Sequence, residues 1–158
     1  MKHIVTVRQY RFDTQAQGKT MKIATQGAKA NLNGKTFELQ CEKLLENYDI
    51  EFQTQVPYTN LYGSDRCKVD IVVDKLHIEC KYQAGSGSVD EKIPFCLLNL
   101  EQFGGGLIIL GGEHWESDRG RMIRKWANDA LASGLFSSKV LTFDEFCENI
   151  HEIIQNSS

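Results

Sequence analysis

The sequence lacks a long apolar run, grouped cysteines and internal repeats. No stretch of about 18 apolar residues occurs, which argues against a membrane-spanning helix. The five cysteines are scattered and never form a CxxC pair, so the sequence favours neither a zinc site nor a disulfide framework. The first residues contain no long apolar stretch and no small-residue cleavage site, and we therefore expect no signal peptide. These absences favour reduced, mostly buried thiols in a cytoplasmic protein. A protein that is encoded by a phage or mobile element and acts in the cytoplasm is the alternative.

The chain also lacks an overall positive charge, because its formal net charge is −3. The distribution of charge is nevertheless uneven. Residues 1–35 contain seven basic residues and one acidic residue, a balance of +6, so the remaining residues carry −9. Such asymmetry indicates a polyanion-binding segment joined to an acidic body, and it favours a nucleic acid as the polyanion. A solvated basic hairpin without a partner is the alternative interpretation.

The N-terminal segment is predicted to form a β-hairpin. Residues 2–11 alternate enough for one strand and residues 19–25 for a second, with a turn between them and a loop around residues 27–34. We expect residues 1–32 to be a basic DNA-binding arm of a single domain that covers residues 1–158. In this arm the expected DNA-binding residues are Arg8, Arg11, Lys19 and Lys22.

The rest of the chain alternates between segments with helical periodicity and β-rich segments. Helices are predicted at residues 34–48, 94–103, 118–133 and from 142 onward, and strands at residues 50–56, 67–73, 76–82, 107–110 and 139–141. Asp74-Lys75 separates the second and third strands by two residues, which favours a tight hairpin. The order of segments indicates an α/β fold with a mixed β-sheet flanked by helices.

Three of the charged residues in the strands of this second hairpin suggest a site. Asp70 lies on one strand, and Glu79 and Lys81, two residues apart on the other, should face the same side of the sheet. Charges inside apolar strands are costly unless they are compensated, and a Mg²⁺ ion bound by the two carboxylates would compensate them. The metal could then activate a water, while Lys81 orients that water and stabilises negative charge. A structural ion-pair cluster is the alternative.

Asp70, separated by eight residues from Glu79-Cys80-Lys81, resembles the D…(D/E)-x-K motif of the PD-(D/E)XK nucleases. The proline of the family motif is replaced by Val69. The resemblance covers roughly residues 34 to 112 and implies a restriction endonuclease-like fold with an αβββαβ core. It also implies nuclease activity with a divalent metal ion.

The resemblance further implies roles for residues outside the motif. Glu38, on the preceding helix, is expected to complete the metal shell formed by Asp70 and Glu79. Gln83 is expected at a catalytic polar position, and Lys92 at a further basic position that binds DNA. From the residues alone, Glu38 can equally belong to a solvated acidic row, Gln83 to the sheet edge and Lys92 to the ordinary surface.

We therefore expect a Mg²⁺-dependent, site-specific DNA endonuclease of the restriction or homing type, with Mn²⁺ as a possible substitute. The expected partner is double-stranded DNA, and the expected state is a homodimer or higher oligomer. Arg121, on the basic face of a predicted helix, is a further DNA-binding candidate, or belongs to a merely solvated face. Alternatives are a Holliday-junction or other structure-specific nuclease, a non-catalytic DNA-binding subunit on a nuclease scaffold, and an enzyme acting on RNA.

Overall fold

The computed structural model describes residues 26–85 and 90–156, with side chains described from residue 33 onward. The strands predicted over residues 2–25 lie outside the described residues, together with Arg8, Arg11, Lys19 and Lys22. The helices and strands in the described ranges are α1 (Gln26–Asn47), β1 (Gln53–Tyr58), β2 (Cys67–Val73), β3 (Leu76–Tyr82), α2 (Lys92–Glu101), β4 (Leu107–Gly111), α3 (Asp118–Ala132), β5 (Lys139–Thr142) and α4 (Phe143–Gln155).

The strands form one mixed sheet in the order β1-β2-β3-β4-β5. The pairs β1–β2 and β2–β3 are antiparallel, whereas the pairs β3–β4 and β4–β5 are parallel. Parallel neighbours need a crossover connection, and α2 and α3 supply the two crossovers. The predicted α/β class, with a mixed sheet flanked by helices, is confirmed, and so is the order αβββαβ from α1 to β4.

Helices cover both faces of the sheet, and β4 lies between the two apolar cores. Leu107 and Ile109 pack with α1 and α4, whereas Ile108 and Leu110 pack with α2 and α3. This division follows from the alternation of side chains along a strand. No helix in the described ranges is both long enough and apolar enough to span a membrane.

The first helix begins earlier than the sequence predicts. It starts at Gln26, so the loop expected around residues 27–34 is helical. Residues 26–32 of the predicted hairpin arm 1–32 are likewise helical, and that part of the prediction is wrong. Residues 26–34 include two alanines, one lysine and one leucine, which have high helix propensity, beside two glycines that cost about 1 kcal/mol each. That residues 1–158 form a single domain stays a prediction.

The thiols are part of the apolar packing. All five cysteines are free, and Cys41, Cys80 and Cys96 are buried. Burial raises the pKa of Cys96 to about 12, which keeps this thiol protonated and poorly reactive near neutral pH. These observations agree with the expectation of reduced, mostly buried cysteines.

Candidate active site

The pairing between β2 and β3 stops inside both strands. Near their connecting turn the strands are in register, and the last pair in this ladder joins Ile71 to Ile78. Asp70 and Glu79 are the next residues on their strands, and no backbone pair joins them. From there β2 stays paired with β1, and β3 with β4. The sheet therefore opens into a fork, and two carboxylates lie where it begins.

Asp70 takes over a hydrogen bond that the strand ladder no longer supplies. The backbone N–H of Cys80 donates to Asp70 Oδ2 at 2.8 Å. A carboxylate that accepts a backbone N–H near the sheet centre has a restricted position. One oxygen of Asp70 is thus tied to β3 beside Glu79.

Glu79 and Lys81 extend from the same face of β3, as their spacing predicts. Lys81 Nζ donates to Glu79 Oε2 at 3.2 Å. Glu79 is only 7% exposed, whereas the Lys81 side chain retains 32% exposure. The neighbouring Ile78 and Cys80 point to the opposite face, into the core beneath α1. A buried carboxylate is therefore joined to an ammonium group that still reaches solvent.

At the fork, burial outweighs the attraction between charges at Glu79, whereas attraction outweighs burial at Lys81. Burial raises the pKa of Glu79 to about 7; attraction to Lys81 opposes this rise, and Asp70 adds to it through repulsion and a hydrogen bond. Burial tends to lower the pKa of Lys81, but attraction to Glu79 and Asp70 outweighs it and raises this pKa overall. Asp70, Glu79 and Lys81 are therefore close enough to affect one another's charge state.

Glu38 approaches the same place from α1, which packs against β3. Burial and repulsion by Asp70 raise its pKa to about 7; Lys35 opposes this rise, and Lys81 opposes it less strongly. Gln55 Nε2 donates to Glu38 Oε2 at 3.3 Å. Glu38 therefore belongs to the fork, in contrast to Glu46, which is exposed further along α1.

Gln55 is a residue of the site that the sequence did not reveal. It lies in β1 opposite Asp70, at the one position of the β1–β2 register where no pair is formed. Its φ of +52° is left-handed, which is uncommon for a residue other than glycine. The side chain reaches Glu38 from this position. Periodicity in the sequence carries no signal for such a distortion.

A cavity of about 250 Å³ adjoins Glu79 and Lys81. Lys92, the first residue of α2, is exposed at this cavity, as is Lys68 of β2. Part of the cavity wall is aromatic and is formed by Tyr58, Phe95 and Phe103. The aromatic residues come from β1 and from α2 and the turn after it. No local motif predicts that wall.

Two of the expected site residues lie apart from the fork. Gln83 Nε2 donates to the carbonyl of Gly85 at 2.8 Å, and the backbone of Gln83 binds Gly111 and His114. These contacts hold the end of β3 to the end of β4. Arg121 is exposed on α3, which packs chiefly against β5 and the short 3₁₀ turn Glu113–Glu116.

The chain matches one known protein family over most of its length. A family model described as a PD-(D/E)XK nuclease superfamily domain matches residues 16–152 of the chain. The chain belongs to this superfamily. The resemblance inferred from Asp70, Glu79 and Lys81 is thereby confirmed, and the protein is a nuclease by family. Neither the curated proteins nor the solved structures include a significant match to this PD-(D/E)XK chain.

PD-(D/E)XK nucleases typically use a divalent metal ion, and the donors at the fork suit one. Glu79 is a buried carboxylate whose pKa burial raises although Lys81 attracts it, and Asp70 repels both Glu79 and Glu38. Oxygen donors of this kind are those that Mg²⁺ prefers. Within residues 33–85 and 90–156, no three His, Cys, Asp or Glu side chains form a compact metal-binding group. The carboxylates thus provide a partial shell that a bound ion would complete with water or phosphate oxygens.

Proposed function

We propose that the protein is a Mg²⁺-dependent endonuclease that hydrolyses DNA phosphodiester bonds at the fork between β2 and β3. The observation that carries this proposal is the meeting of Asp70, Glu79 and Lys81 where strand pairing stops. A structural ion pair needs one carboxylate and one ammonium group. Here Asp70 repels the buried Glu79, and it also repels Glu38, which is half-buried on α1. This costs stability and is understandable if a cation binds there.

Each residue of the fork has a definite role in this proposal. Asp70 and Glu79 hold Mg²⁺, Glu38 completes the oxygen ligands, and Mn²⁺ can substitute. When bound, the ion supplies an activated water and neutralises charge on the phosphate. Lys81 donates from Nζ to the water or to a phosphate oxygen and offsets the charge that develops in the transition state. Because its side chain donates to Gly85, we assign Gln83 a positioning role at the end of β3.

DNA is the proposed substrate because exposed cations line the cavity of the candidate site and the N-terminal segment is rich in basic residues. Lys68 and Lys92 are exposed at the cavity, and residues 1–35 carry a balance of +6. Phosphate contacts by such cations provide affinity that does not depend on sequence. We propose Arg8, Arg11, Lys19, Lys22 and Arg121 as further phosphate contacts. We also propose site-specific cutting of both strands, as in restriction and homing enzymes. Such cutting needs two sites, which a homodimer would present.

The direct test is cleavage of plasmid and linear DNA with Mg²⁺, with Mn²⁺ and with EDTA. We expect cleavage only with metal, and we expect Asp70→Ala and Lys81→Ala to lower the rate about 100-fold or more. Glu46→Ala is the matched control, because it removes a carboxylate from the exposed part of α1. Circular dichroism must show that each variant is folded. Full activity in Asp70→Ala or Lys81→Ala contradicts the proposal.

Two rival functions are separated by further measurements. A non-catalytic DNA-binding subunit is favoured if calorimetry detects no Mg²⁺ or Mn²⁺ binding while DNA binding persists. A structure-specific nuclease is favoured if branched substrates are cut and matched duplexes are not. Discrete fragments from genomic DNA favour site-specific cutting instead.

A further inference from the structure

An exposed pair of aromatic rings lies beside the candidate active site. The rings of Tyr62 and Phe95 are stacked, with centroids 5.6 Å apart and planes 19° apart. Tyr62 is 83% exposed and Phe95 is 37% exposed. Little apolar surface is buried at Tyr62, so its position contributes little to folding. The outer face of the Tyr62 ring is open to solvent.

The loop that carries Tyr62 is held in place by polar contacts. Asn60 Oδ1 accepts from the backbone N–H groups of Tyr62 at 2.9 Å and Ser64 at 3.0 Å. Leu61 N donates to Oδ1 of Asn99, which is 4% exposed on α2. A buried side chain of α2 thus fixes the loop against the helix that carries Phe95. The exposed ring is therefore presented on a defined support.

The aromatic pair is continuous with the cavity of the fork. Phe95 lines the same cavity as Glu79 and Lys81. Lys68 and Lys92, both exposed, line it as well. Ammonium groups that can hold phosphates thus lie close to a flat apolar surface that can hold a base. This combination is what proteins use to bind single-stranded nucleic acid.

We propose that the Tyr62–Phe95 pair stacks against one unpaired base of the DNA, next to the phosphodiester that the fork cleaves. In a matched duplex both faces of a base are covered by its neighbours, so the ring of Tyr62 can stack only on a base that has left the helix. Extrusion is least costly for single-stranded or bulged DNA. The inference rests on the proposed function and adds a preference for substrates with an unpaired nucleotide.

Binding measurements with the full chain in EDTA test the inference without cleavage. The probes are a fluorescent single-stranded oligonucleotide, the matched duplex of the same sequence, and that duplex with a one-nucleotide bulge. We expect Tyr62→Ala to weaken binding of the single-stranded and bulged probes about 10-fold or more, and binding of the matched duplex much less. Tyr62→Phe keeps an aromatic face and should bind like the wild-type protein. Met122→Ala, which removes a 72% exposed side chain from α3, is the second control.

A scan with 2-aminopurine, a fluorescent base analogue, identifies the nucleotide concerned. We expect quenching at one position next to the cleaved bond, its loss in Tyr62→Ala and its retention in Tyr62→Phe. If the wild-type chain binds DNA and Tyr62→Ala binds all three probes equally well, the inference is wrong and the proposed function stands. If the wild-type chain binds none of the probes, the inference is wrong, and the proposed function fails with it only if the chain also cleaves no DNA with Mg²⁺.

Discussion

At the scale of single residues, the most informative feature is the left-handed backbone of Gln55. A φ of +52° costs a residue with a side chain about 1 kcal/mol or more relative to a right-handed conformation. Such strain is found where another requirement keeps the residue in place. The hydrogen bond from Gln55 Nε2 to Glu38 is that requirement here. Gln55 is therefore a positioning residue for a carboxylate of the fork.

Replacing Gln55 by glycine separates its role in the site from its role in the fold. Gln55→Gly removes the strain and the hydrogen bond to Glu38 together. We expect the free energy of unfolding, measured with urea, to stay the same or rise. We expect kcat/KM for DNA cleavage to fall about 10-fold, as is typical when a partner of a metal ligand is lost.

Asp74→Gly is the matched control for this experiment. Asp74 has a φ of +54° in the turn between β2 and β3, at the end of the hairpin remote from the fork. Its replacement should relieve similar strain and leave cleavage unchanged. Equal cleavage rates in Gln55→Gly and Asp74→Gly would show that Gln55 does not position Glu38.

At the scale of elements, α4 begins with a capping box formed by Thr142 and Glu145. The Thr142 hydroxyl accepts from the Glu145 N–H at 3.2 Å, and Glu145 Oε1 accepts from the Thr142 N–H at 3.1 Å. Arg124 of α3 donates to the same carboxylate at 3.1 Å. The cap therefore also joins α4, which covers one face of the sheet, to α3, which covers the other.

Loss of the cap should destabilise the whole sheet, because α4 supplies apolar side chains to the core beneath α1. We expect Thr142→Ala to lower the free energy of unfolding by about 1 kcal/mol. Thr142→Ser keeps the hydroxyl group and should retain most of the stability. The measurement is urea unfolding followed by circular dichroism. If both variants lose the same stability, the cap is not the cause.

The sequence predicts those elements whose signal is local. The bounds of β2 and β3 agree with the prediction, because period-two alternation and a two-residue turn define them. The prediction ended β1 before Pro57, but β1 includes it. A sheet-edge strand tolerates the missing N–H, and only the tertiary position of β1 reveals that it is an edge. The sequence does not predict the start of α1, because the glycines there are typical of a loop.

The same distinction applies to the candidate site. Asp70, Glu79 and Lys81 could be grouped from the sequence because one hairpin brings them together. The link from Gln55 to Glu38 and the pair formed by Tyr62 and Phe95 join segments that are distant along the chain. Such contacts depend on how α1 and α2 pack on the sheet. Periodicity cannot predict them.

At the scale of the whole molecule, the fork lies where the two layers of helices meet the open part of the sheet. Glu38 comes from the α1 side, whereas the cavity beside Glu79 and Lys81 faces α2. Two apolar cores, one on each face, hold these elements in place. The protein can therefore fold around a cluster of carboxylates that repel each other, and a divalent ion would remove this repulsion.

Metal binding should accordingly stabilise the entire fold. An ion that binds only the native state adds about 2.7 kcal/mol at 100 times its Kd, and each kcal/mol raises Tm by about 2–4 °C for a chain of this size. We therefore expect saturating Mg²⁺ or Ca²⁺ to raise the Tm of EDTA-treated protein by roughly 5 to 10 °C. NaCl at equal ionic strength should not do so. Asp70→Asn should abolish the rise, whereas Asp129→Asn, on the exposed Lys125–Asp129 ion pair, should retain it. The fork is the place where folding brings carboxylates from α1, β2 and β3 together, and Asp70 is one of them. An undiminished rise in Tm for Asp70→Asn would therefore mean that the stabilising ion binds elsewhere.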